Sequence, residues 1–195
     1  MDHVIPRWEW RTFGEEFGEP DRVLASLAPE GVEEGDELCL LSPAADENVK
    51  IRDRLMDIKR LQGVNADRLE QWKPVMKAAF PLPAVEAVKV FDALGVSAPP
   101  LARAVYTIDQ LIEELAKPSG RVRTVTVHKK RTRYRTGGCP AKVTEVVADG
   151  KRTRTVAIES EDPARVIAAV RALGLDRFEN VNYPRGLKRL IAMKD

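Results

Sequence analysis

Charged side chains recur along this chain at i, i+2 spacing, and that spacing carries the first chemical content. Arg7/Glu9/Arg11, Lys50/Arg52, Arg68/Glu70, Lys129/Arg131/Arg133 and Glu159/Glu161 each set charges on one side of an extended segment, because successive side chains of a strand point to opposite faces. One such strand is ordinarily a solvated face. Five of them, several with apolar residues at the alternate positions, imply a charged surface assembled from many strands. If the sheet curls so that its apolar faces meet helices outside, the charged faces line an interior groove or tunnel. Such an interior is electrostatically costly unless opposing charges, water or a ligand satisfy it. A polyphosphate with a divalent metal would satisfy both signs. Arg and Lys would clamp non-bridging oxygens, and carboxylates would hold Mg2+ or Mn2+, hard ions that take oxygen ligands. Glu145, Glu159 and Glu161 are the expected metal set.

The elements that must position these groups are legible from periodicity and turn residues. From Arg121 to Glu161 the chain reads as three β-rich segments cut by Gly137-Gly138 and Asp149-Gly150, long enough to pair as an antiparallel meander. Its first segment holds seven Lys/Arg residues between Arg121 and Arg135 and no acid. Val4–Phe13 alternates, with Arg7, Glu9 and Arg11 on one face and Trp8 and Trp10 on the other, the helix-packed side. A short helix follows between Gly18 and Ala28, then a brief apolar strand over Glu37–Ser42. NVKIRDRLMDIKRL reads either as a hairpin turning near Asp53-Arg54, which puts Lys59 on the second arm, or as one long strand. Arg68 and Glu70 share a face of a further strand beside Trp72, and Pro74 is expected to end that ladder. Ala84–Leu94 has helical spacing closed by Gly95. Thr107-x-x-Gln110 resembles a capping box for the helix IDQLIEELAK. Asp162-Pro163 is an N-cap with a first-turn proline for ARVIAAVRAL, and ENVNYPRGLKRLI closes the chain with a turn and a helical segment. The order predicts an α+β fold of mostly antiparallel strands, seven or eight in number, where a sheet can curl toward closure.

Bulk properties narrow the function. At 195 residues, 44% hydrophobic and 32% charged, the chain is expected to form one domain, 1–195. A net charge of only +2 argues against a non-specific nucleic-acid or membrane coat, so the local basic excess marks a site. Cys39 and Cys139 lack metal-site spacing and read as buried free thiols, while His3 and His128 are too few for a histidine metal site. His128 should face away from Lys129. Lys142 has no strong case as a site residue, and Arg152 and Arg154 are expected to point away from Glu159. No apolar run nears the roughly 20 residues of a membrane helix, and a cytoplasmic protein is expected.

The ordered series Lys50-Ile51-Arg52, Lys59, Arg68-Leu69-Glu70, Lys129-Lys130-Arg131, Glu159-Ser160-Glu161 and Asn182-Tyr183 resembles the CYTH domain, the triphosphate tunnel metalloenzymes, over nearly the whole chain. The resemblance implies a closed or nearly closed eight-stranded β-barrel with helices packed outside, and metal-dependent hydrolysis of a triphosphate in a basic tunnel. It implies Arg11, Lys50, Arg52, Arg68, Lys129, Arg131 and Arg133 as substrate ligands. Glu9, Lys59 and Glu145 would be the catalytic set, and Glu9, Glu145, Glu159 and Glu161 the ligands of Mg2+ or Mn2+. The first strand departs from the family's ExExK, reading Arg7-x-Glu9-x-Arg11, and Trp72 stands where a second acid is common. Arg7 removes a carboxylate and adds a cation, which favours anion capture over metal binding.

Three functions therefore compete. One is a triphosphatase acting on tripolyphosphate, thiamine triphosphate or ATP, or a class IV adenylyl cyclase-like relative. Another is a non-catalytic module for polyphosphate or a phosphorylated ligand. RNA binding is the weakest, since the basic strand holds one aromatic, Tyr134, and stacking surfaces need more. A small-molecule partner is expected, and a homodimer stays open.

Overall fold

In the structure, a computed structural model describing residues 5–193, eight strands close into an antiparallel barrel in the order β1-β10-β9-β8-β2-β3-β4-β5. The strands are β1 (Arg7–Gly14), β2 (Gly31–Ser42), β3 (Ala45–Arg52), β4 (Leu55–Val64), β5 (Glu70–Ala79), β8 (Arg123–Thr136), β9 (Cys139–Ala148) and β10 (Lys151–Ser160). A small second sheet pairs β6 (Leu82–Pro83) with β7 (Val105–Tyr106). The helices are α1 (Glu19–Ser26), α2 (Ala84–Ala93), α3 (Ile108–Gln110, continuing in π-helical turns over Leu111–Ala116), α4 (Pro163–Ala172) and α5 (Tyr183–Leu190). His3 and the expected strand start at Val4 lie outside the described residues. Closure comes from β1, which pairs β10 on one side and β5 on the other.

The turns explain the hairpins. Asp53 and Arg54 both have positive φ, 52° and 59°, so β3 and β4 form a hairpin and not one long strand. Gly137-Gly138 and Asp149-Gly150 also have positive φ at both positions, the conformation that matches the twist of paired strands. Pro74 does not end its ladder. Lys59 pairs with Pro74 and Ile58 with Met76, so Val75 is an extra residue on β5, and a bulge leaves the missing proline N–H without a partner to satisfy. β2 starts six residues before the expected Glu37. Its acidic first half is held by the basic strand, with Arg133 Nη1 3.0 Å from Glu33 Oε1.

Apolar faces point outward onto helices, as the alternation requires. α2 and α3 cover Leu40, Val49, Ile51, Met56 and Ile58 with Val90, Phe91, Leu111 and Leu115. α1 and α4 cover Trp10, Val156 and Ile158 with Leu24, Val166 and Val170, and Trp8 joins them. The two expected caps are made, and Asn182 supplies a third. Thr107 and Gln110 form the reciprocal box, Asp162 accepts from Ala164 N at 2.9 Å, and Asn182 accepts from Arg185 N at 3.0 Å.

The last helix departs from the expected position outside the barrel. Tyr183, Leu187 and Ile191 pack on Cys39, Leu41, Val125, Val127, Val146 and Ala148, which face the lumen, so α5 fills one end of the barrel instead of lying outside it. Gly186 permits this approach, since a Cβ there would sit 2.2 Å from Phe13. Lys188 Nζ fastens the helix to Ala45 O at 2.6 Å and Asp46 Oδ1 at 2.8 Å.

Candidate functional site

The remainder of the lumen is charged. In a cavity of about 510 Å³, eight cations and four carboxylates face inward among the described residues. Arg7, Glu9 and Arg11 come from β1, Lys50 and Arg52 from β3, Asp57 and Lys59 from β4, Lys129 and Arg131 from β8, Lys142 from β9 and Glu159 from β10, with Glu161 just beyond it. Trp72, Pro74, Thr144 and Tyr183 fill the wall between them. A second cavity of about 340 Å³ shares Arg52, Lys129 and Arg131 with the first and is otherwise acidic, lined by Glu33, Glu34, Asp36, Glu37 and Asp53.

Two buried ion clusters organise the lumen. At its inner end the Glu37 side chain is fully buried, bonded by Lys129 Nζ and 3.3 Å from Lys50 Nζ. Burial alone would raise the Glu37 carboxyl, but the two ammonium groups outweigh it and hold it at about 2. Burial pushes Lys129 down to about 7, since one carboxylate is shared with Lys50 and Arg131 repels from the other side. Its ammonium also lies 4.6 Å over the Tyr183 ring, an aromatic face that attracts a cation. On the opposite wall, Glu159 Oε1 receives Lys142 Nζ at 2.8 Å and Arg7 Nη1 at 3.0 Å. Burial opposes ionisation there too, and Lys142, Lys59 and Arg7 outweigh it, holding Glu159 at about 2. Beside it Glu9 is lowered against burial by Arg11, whose Nε donates at 2.9 Å.

Several expected site residues fall elsewhere. Glu145 is exposed on the outer face of β9, because Thr144, opposite Arg131, takes the inward position. Arg68 is not on a strand face. It sits in the turn before β5 with φ 62°, outside the lumen, where its carbonyl accepts from Asn180 Nδ2 at 2.7 Å. Arg133 lies past the lumen on β8, half exposed and paired with Glu33. Conversely, Glu37 and Asp57, which no motif marks, face the lumen, and so does Lys142, against the expectation that it is no site residue. The signal for Lys142 was in the strand itself. Ala141 and Val143 pack outward, so the residues between them must face in. His128 points outward to Asp36 and Glu34, and Arg154 pairs outside with Asp21, both as expected.

A resident divalent ion needs several hard oxygen donors aimed at one point. Glu9 and Glu159 are each bound by a cation, Glu161 is exposed beyond β10, and Glu145 faces away. Among the described residues no three of His, Cys, Asp and Glu converge to hold a metal. The side chains present do not fit the expected Mg2+ or Mn2+ set.

No family model matches the chain, and no curated protein matches it. Among solved structures, a candidate adenylate cyclase from Bacillus halodurans superposes with a TM-score of 0.51 at 8% identity, covering 95% of this chain and 98% of that one. The two share a fold, and the closed eight-stranded antiparallel barrel is the one that the resemblance implied. A conserved hypothetical protein from Pyrococcus furiosus (TM-score 0.48, 18% identity, 90% and 98% covered) is also similar. So is a candidate adenylyl cyclase from Hippeastrum, solved with a dominant triphosphatase activity (TM-score 0.48, 11% identity, 91% of each chain covered). No helix among the described residues is long and apolar enough to cross a membrane.

Proposed function

We propose that the barrel binds the triphosphate group of a small molecule inside its lumen. One observation carries the reading, the convergence of eight cations on one cavity against the four carboxylates of its lining and Glu37 at its inner end. That excess suits a compact polyanion, whose oxygens would exchange hydration for charge-assisted hydrogen bonds. Arg131 supports it further, since its buried Nε has no hydrogen-bond partner among the described residues, and an unpaired buried donor is costly until an acceptor arrives. Arg11, Lys50, Lys59, Lys129 and Arg131 would grip the chain of phosphates, with Arg7, Arg52 and Lys142 nearer the opening or the acidic wall. Calorimetry with tripolyphosphate, pyrophosphate and orthophosphate tests this. Affinity should climb with phosphate number and fall at least tenfold in Arg131→Met. Equal affinity for all three anions, or no heat at millimolar tripolyphosphate, refutes it.

Hydrolysis is the second reading. In its favour, Glu9 is the register partner of Glu159 on the neighbouring strand, so two carboxylates stand side by side on one wall of the space a terminal phosphate would enter. Orthophosphate release from tripolyphosphate, ATP and thiamine triphosphate, measured against Glu159→Gln, decides it. Release equal to that control on all three substrates leaves a binding module.

A further inference from the structure

Glu70, Glu9 and Glu159 lie side by side in one row across β5, β1 and β10, Glu9 being the register partner of both others. Like charges placed directly opposite on paired strands repel, and such a row would ordinarily invite a metal ion. Here each carboxylate already has a tethered donor. Arg11 Nε holds Glu9 at 2.9 Å, while Trp72 Nε1 and Asn182 Nδ2 hold Glu70 at 3.2 Å each. Glu159 carries two cations on a single oxygen, Arg7 at 3.0 Å and Lys142 at 2.8 Å.

We infer that Arg7 and Lys142 act as a built-in replacement for a divalent ion, so that the lumen takes its polyanion without metal. The inference rests on the triphosphate-binding reading and deepens it. A dication approaching Glu159 would meet both groups on the neighbouring oxygen of the same carboxylate and six further cations around the cavity, a repulsion that one remaining carboxylate oxygen does little to offset. Arg7 in contrast can serve both sides. Its side chain remains 54% exposed while one Nη1 holds Glu159, so its other N–H donors stay open to a phosphate oxygen. A guanidinium offers five donors in a rigid fork and cannot lose its proton, which suits it to bridge a carboxylate and a phosphate.

Two titrations test this, Mn2+ alone and tripolyphosphate in excess EDTA, on the wild type and on Arg7→Glu and Arg7→Gln. The wild type should take up no Mn2+ at millimolar concentration and should bind tripolyphosphate in EDTA. Arg7→Gln should weaken that binding at least fivefold, since a contact is lost and nothing replaces it. Arg7→Glu should lose more and gain saturable Mn2+ uptake, because a fresh carboxylate then joins Glu9 and Glu159. Stoichiometric Mn2+ uptake by the wild type overturns the inference, as does tripolyphosphate affinity in Arg7→Gln equal to wild type. A folded wild type that binds neither Mn2+ nor tripolyphosphate upholds metal-free occupancy of Glu159 and overturns the triphosphate reading instead. Circular dichroism of both variants confirms folding, which the half-exposed position of Arg7 favours.

Discussion

Replacing Glu37 by Gln should destabilise the barrel in a way that depends on pH. The carboxylate is fully buried and serves two ammonium groups, Lys129 and Lys50. Removing one partner of a buried ion pair typically costs about 3–5 kcal/mol, because the other charge is left uncompensated. The lower figure applies near neutral pH, since Lys129 already sits at about 7 and can shed its proton. The pH slope follows from proton counts. In the unfolded chain Lys129 is protonated throughout this range. In the folded wild type it is protonated below pH 7, so unfolded and folded states bind the same number and this group adds no slope. In folded Glu37→Gln it stays neutral below pH 7, so the unfolded state binds one proton more and stability falls by about 1.4 kcal/mol per pH unit as pH drops. The difference between the two proteins should be about 3 kcal/mol at pH 7 and above 4 kcal/mol at pH 6. Urea unfolding at pH 6, 7 and 8.5 measures it. A difference that is constant across this range, or smaller than about 1 kcal/mol at pH 6, would refute the shared-carboxylate argument.

Other outcomes follow from the same geometry. Tripolyphosphate affinity should fall as pH rises from 6 to 9, because Lys129 loses the charge that the anion pairs with, and Lys129→Met should flatten that dependence in calorimetry. Glu37 and Glu159, both held at about 2 against an ordinary 4.5, contribute stability that is whole above pH 4.5 and lost as pH falls through 2. Glu159→Gln should therefore shallow the acid limb of a urea-midpoint series. Glu145→Gln and Arg68→Ala should leave tripolyphosphate affinity within twofold of wild type, since neither side chain faces the lumen. Gly186→Ala should cost about 1–3 kcal/mol by overpacking against Phe13, visible as a lower melting temperature, and Phe13→Leu should recover part of it.

How far the chain can be read in advance differs between its strands. β1 was plain, because Trp8 and Trp10 alternate with three charges and only one face can meet α4. β8 was equally plain from Val125 to Arg131, but alternation alone cannot say where a strand leaves the lumen, so Arg133 was placed one pair too deep. On β9 the acid Glu145 has the side-chain type of a metal ligand, but Ala141 and Val143 assign its face to the outside. Arg68-Leu69-Glu70 carried the spacing of a strand motif, yet Arg68 adopts a left-handed turn conformation that Asn65 closes from a few residues upstream. Glu37 was the largest omission. A lone acid opening an apolar strand looks like a boundary until Lys50 and Lys129 are seen to converge on it from other strands.

What the sequence determined alone is local. Periodicity marks which residues of each strand share a face, turn residues mark the hairpins, and caps mark the helices, because these depend on backbone sterics and neighbours a few positions away. It also determined the sign of the site, an excess of cations in series. The tertiary structure decided the rest. Closure of β1 onto both β10 and β5 put Glu9 beside Glu159 and Glu70, and the entry of α5 chose which end of the lumen is filled. Which carboxylate each cation reaches depends on strand stagger and side-chain length together, over separations of up to 152 residues. No local pattern encodes such a distance, and it is why Arg7 rests on Glu159.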